Sequence, residues 1–246
     1  MINFFRKKRK LLADDNKAIK YTRYAIGEIV LVVIGILIAL SINNWNEDRK
    51  NQILVKNYTE NLIEDLAKDS IIISDLILKT KIDSTHLNNF EKRVSKSTAA
   101  LDTILKIARY EYNFYIWVHT DFNSDTFKVL TSTGDIVLFK SEIINDLNVL
   151  YNLQELALTS TALTFENYRN NLHLYAQKYP VPFQFNLISN NTNAATIIWE
   201  QISLIHHATE FNALVLAKGD SYRLSLRNLP RVLDKTTILL AELRKL

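Results

Sequence analysis

From Ala25 to Ile42 the chain runs for 18 residues with one ionisable side chain, Glu28. As a helix such a run covers roughly 27 Å, close to the ~30 Å hydrocarbon core of a bilayer. A lone segment can cross lipid only as a helix, because each backbone N–H and C=O must find its partner within it. Tyr21 and Tyr24 stand at one end of the run and Trp45 at the other, where amphipathic rings favour the headgroup level. The pattern predicts one membrane-spanning helix, 24–45, between a basic arm, 1–23, and a folded part, 46–246. A cleaved signal peptide is the rival reading, with Ala39-Leu40-Ser41 as a loose small-x-small site; the length of the apolar run and the lack of a helix breaker before that site count against it.

Charge is distributed to match. The chain carries a net +4, yet residues 1–23 hold eight basic against two acidic side chains, which leaves the rest at −2. Basic residues beside an apolar span favour the cytoplasmic side. Arg6, Lys7, Lys8, Arg9 and Lys10, interleaved with Phe4, Phe5, Leu11 and Leu12, are expected to contact membrane lipid rather than nucleic acid, since no basic stripe follows the arm. A solvated charge run is the plainer reading of the same residues.

Within the span, Glu28, Gly35 and Ala39 share one helix face. Small residues four apart allow a second helix to approach closely. A carboxylate at this depth has two readings: an ion-paired anchor near the cytoplasmic edge, reached by Lys20 or Arg23, or a site of protonation or helix association.

Cysteine is absent, and only four Gly and three Pro occur in 246 residues. The first excludes disulfides and thiolate chemistry; the second points to long helices. Val55, Tyr58, Leu62, Leu66, Ile73 and Leu76 recur at helical spacing. Asp83-Ser84 is expected to cap a following segment, and 98–110 to form a further helix. Ser124 and Gly134 bracket a short helix. Ser141 to Tyr179 has neither Gly nor Pro and holds the helical period. After the turn-rich stretch 180–193, Thr192 or Asn193 should cap a helix closed by Gly219, and Pro230 should kink or divide the last one, with Asn228 as a new cap. The expected fold class is therefore all-α: an N-terminal transmembrane helix continuing into an exported, elongated helical bundle, with 46–84 and 141–178 as antiparallel pillars.

Two clusters invite chemistry. Tyr112, Tyr115 and Trp117 belong to an aromatic group that is either a core plug or a partner patch, separable by the exposure of Trp117. His206, His207 and Glu210 are the best metal candidates, but their order is neither that of di-iron bundles nor of zincins. No catalytic residue, metal or cofactor is expected.

The stretch Tyr24-Ala25-Ile26-Gly27-Glu28 through Leu40, followed by Ile42-Asn43-Asn44-Trp45-Asn46-Glu47, resembles an uncharacterised family of small single-pass proteins of Gram-negative bacteria. The likeness covers about residues 1–50 and a short turn like Ser132-Thr133-Gly134, and marks Gly27, Glu28, Gly35 and Trp45 as signature positions. It implies an inner-membrane anchor, a cytoplasmic N-terminus and a helical periplasmic part, and it brings no established activity. Three functions follow as expectations: a non-enzymatic envelope protein that binds or scaffolds itself or another envelope protein, a subunit of an ion-driven or transport complex using Glu28, and a membrane-tethered enzyme.

Overall fold

The computed structural model describes residues 18–189 and 192–246, with side chains from Tyr21 onward. Among the described residues the chain is all-helical and without strands. The α-helices are α1 (Ala18–Lys96), α2 (Ala100–Tyr110), α3 (Asp125–Thr133), α4 (Ser141–Ala176), α5 (Asn193–Gln201) and α6 (Leu204–Leu243), with a 3-10 turn at Asp135–Leu138. The chain divides into two compact units, Met1–Asn57 and Tyr58–Leu246.

The first unit is the beginning of α1. Its most apolar 18-residue window is long and apolar enough to cross a membrane, and none of it is buried. From Ile36 to Lys96 no Gly or Pro interrupts the helix. Pairs one turn apart, Glu64–Lys68 at 2.7 Å and Asp75–Lys79 at 2.6 Å, add local support, and Arg93 and Lys96 oppose the negative end of the helix dipole.

In the second unit α4 and α6 run antiparallel along each other. Asp146 meets Lys235 at 2.6 Å, Thr164 Oγ1 donates to Ser221 at 3.3 Å, and Tyr175 is hydrogen-bonded to His207 at 2.8 Å. The remainder of α1 completes the trio. Asp69 of α1 is level with Gln154 of α4 (3.2 Å), and Asp83 is level with Lys218 of α6 (2.6 Å), itself near the height of Thr164. Hence α1 and α4 point the same way, and the antiparallel pillars are α4 and α6 rather than 46–84 and 141–178. The cause lies in the connection. Instead of turning back as a hairpin, the chain returns along the part of α1 in this unit through residues 112–124 and α3, so that Tyr58 donates to Asp135 at 2.7 Å just before α4 begins.

Three further expectations are corrected. Asp83 caps nothing: α1 continues through it to Lys96, and its carboxylate faces the core. Gly219 does not close a helix. The break falls instead at residues 202–203, where Ser203 accepts from the His206 N–H, and Gly219 lies inside α6. Of the two outcomes expected at Pro230, division of the helix with Asn228 as a new cap does not occur, and α6 runs through it. A proline removes one ladder hydrogen bond, but buried Asn228, Leu229 and Val232 hold the helix on both sides. Other termini follow the sequence. Gly134 takes the left-handed position after α3 (φ 81°), and Thr192 caps α5 through the Ala195 N–H.

Candidate functional site

Residues 112–124 form neither helix nor strand, yet they lie against all three long helices. A buried irregular backbone must find polar partners. Among the described residues, 113–123 make no main-chain to main-chain hydrogen bond, and side chains take over that role. Lys218 donates to the Asn113 carbonyl at 2.5 Å and Tyr168 to the Phe114 carbonyl at 2.7 Å. The Trp117 N–H points to the Tyr222 hydroxyl at 3.4 Å, and the Asn123 N–H to Asp69 at 3.0 Å.

The centre of this strap is an ion pair. Lys218 is 0 % exposed and meets Asp83 at 2.6 Å; Tyr222 donates to the same carboxylate at 2.6 Å. The rings of Tyr112 and Tyr222 stand 4.9 and 5.5 Å from the ammonium, which adds a cation–π component. Burial depresses the Lys218 pKa more than Asp83 raises it, and burial likewise pushes the Tyr222 hydroxyl up. Asp69 is raised, chiefly by burial, although Asn123 donates to it twice. These groups satisfy one another and fix the strap.

Histidine 207 occupies a second closed site. It packs among Tyr175, Tyr179, Trp199 and Phe211, and burial lowers its pKa to about 4. His206, one residue earlier, is exposed, and Glu210 pairs with Lys178 at 2.6 Å. The three metal candidates are thus turned to different surroundings. Among the described residues no three His, Cys, Asp or Glu side chains converge.

The aromatic group splits. Tyr112 is core, set edge-on to Phe114 and Phe211 at 4.8 and 5.0 Å. Tyr115 is exposed beside Phe183, and Trp117 is 37 % exposed with Lys79 over its ring at 5.0 Å. Tyr112 therefore belongs to the plug, whereas Tyr115 and Trp117 face outward. On the first unit Tyr21, Tyr24, Gly35, Ala39 and Trp45 are all exposed, and Glu28 is half-buried. Arg6, Lys7, Lys8, Arg9 and Lys10 lie outside the described residues.

Sequence reasoning missed an open apolar groove of about 720 Å³ between the last turns of α1, α2 and the first half of α6. Phe90, Val94, Ile104, Phe211, Val215 and Leu216 line it, so the core itself is its floor. Leu216 is 63 % exposed, and a Cβ added to Gly219 in the same wall would meet only open space. Its one signal in the sequence is that mid-helix glycine, which costs helix stability and answers no internal packing need.

Residues 28–136 match the model of a family of unknown function (DUF6090). The match runs from Glu28 through α1, α2, the strap and α3, and stops before α4. It agrees with the likeness to an uncharacterised family. No curated protein and no solved structure matches the chain.

Proposed function

We propose that the chain is a single-pass protein of the bacterial inner membrane, with its N-terminus in the cytoplasm and its helical unit in the periplasm, and that it works by binding rather than by catalysis. The apolar groove beside Leu216 carries this reading. An open apolar surface continuous with a core is what a docking protein presents to its partner. Several buried titratable groups give further support, because they are engaged structurally: Asp83 with Lys218 and Tyr222, Asp69 with Asn123 and Gln154, and the Nε2 of His207 with Tyr175. The unburied apolar window supports the anchor, and the basic arm the orientation.

Two measurements test it. A phosphatase reporter fused after Leu246 should be active, and the chain should stay with membranes after carbonate washing. A photo-crosslinking residue at Leu216 should give a discrete adduct in living cells, while the same residue at exposed Leu156 of α4 gives none. A reporter active only in the cytosol, or adducts equal at both positions, would overturn the proposal.

A further inference from the structure

The loop before α5 presents two large apolar side chains to solvent. Phe185 is 98 % exposed and Leu187 91 %. Phe185 also sits at φ 61°, a left-handed conformation that bulky residues seldom adopt. Slackness does not explain this. Pro180 and Val181 are buried, Asn186 Nδ2 donates to the Val181 carbonyl at 2.6 Å, and Asn186 Oδ1 accepts from the Ile188 N–H at 3.0 Å. A pinned loop thus holds a strained aromatic outward, and such strain points to a use at that position. From Pro180 to Asn193 the loop carries no charge.

The same unit holds the complementary feature. The groove is apolar, and Gly219 leaves room in its wall. Phe185 does not fill the groove of its own chain, since it is solvent-exposed. We infer that the groove receives the Phe185–Leu187 knob of a second copy of this chain, and that two copies exchange knobs about a two-fold axis. Such an isologous contact removes both unpartnered features at once. A buried aromatic side chain filling a pocket is a typical anchor of an interface, and an uncharged knob brings no ion into it. This names the occupant for the binding role above and rests on that reading.

Because the chain has no cysteine, the contact can be tested by position. Full-length Phe185→Cys and Leu216→Cys chains are purified separately in mild detergent, mixed, and oxidised with copper phenanthroline. The expected result is a disulfide-linked heterodimer in about tenfold excess over that from Phe185→Cys mixed with Leu156→Cys, reflecting the high effective concentration of docked groups. Adding Leu187→Ser to the Phe185→Cys chain should reduce the yield, with circular dichroism confirming an unchanged fold. Equal yields with Leu216→Cys and Leu156→Cys, or none with either, overturn the knob exchange. A photo-adduct of Leu216 with a different protein or with lipid also overturns the second copy as occupant while leaving the binding role standing.

Discussion

Lys218 of α6 meets Asp83 of α1 at 2.6 Å, with the lysine wholly enclosed. The pair joins two helices far apart in sequence and the strap that passes between them. Removing one partner leaves a buried charge without its counterion, which costs about 3–5 kcal/mol. Lys218→Ala and Asp83→Ala should each lower stability by that order in urea unfolding of the full chain. Lys218→Met combined with Asp83→Leu should lose less than the sum of the single changes; additive losses would mean that the two charges do not act as a pair.

Tyr168 tests the strap separately. In Tyr168→Phe the ring stays in place, but the Phe114 carbonyl loses its donor. A buried acceptor left unsatisfied costs about 1–3 kcal/mol. Hydrogen exchange should quicken at amides 115–123 more than in the middle of α4. Uniform acceleration would show that the bond serves global stability alone.

His207 gives the unit a pH response. Its folded pKa is about 4 against an unfolded value near 6.5, so between these limits the unfolded chain binds more protons. The contribution of His207 is complete above pH 6.5, shrinks as pH falls toward 4, and levels off below. Over the whole window the loss is of order 3 kcal/mol. Asp69, whose pKa is raised by burial, works in the opposite sense as it gains a proton in acid. Chemical unfolding at pH 7.5 and 5 should show a fall in the wild type that is much reduced in His207→Phe. An unchanged slope would place the protonation elsewhere.

Gly219 gives a stabilising change. The position is helical and an added Cβ has open space in the single chain, so at protein concentrations low enough to leave the groove empty Gly219→Ala should raise stability by about 0.5–1 kcal/mol. A lower melting temperature would mean that the groove wall is closed by something not visible in a single chain.

Much of the fold is legible in the residues. The apolar run before Trp45, the scarcity of Gly and Pro, and the spacing of Leu62, Leu66, Ile73 and Leu76 suffice for long helices. Direction is not legible, because nothing local tells Asp69 that it will meet Gln154, nor Asp83 that it will meet Lys218. Gly219 and Pro230 look like terminators by propensity, and burial of their neighbours overrides that preference. The strap did leave a trace. Tyr112 and Phe114 are buried while Asn113, Tyr115 and Trp117 face out, an alternation of period two that a helical reading passes over. Phe185 and Leu187 look like ordinary core residues in any one-dimensional reading, and only the folded loop shows them outside.

The strap is fastened through its main chain by side chains that belong to other elements. Of its outward residues, Tyr115 takes no part in the four fastenings, Asn113 and Trp117 lend only a main-chain carbonyl and amide, and Asn123 adds its own side chain to its amide on Asp69. Apart from Asn123, attachment and display are therefore encoded in separate parts of the sequence. Descendants of this chain can rewrite what the segment shows to its surroundings, one residue at a time, while Lys218, Tyr168, Tyr222 and Asp69 keep its path unchanged.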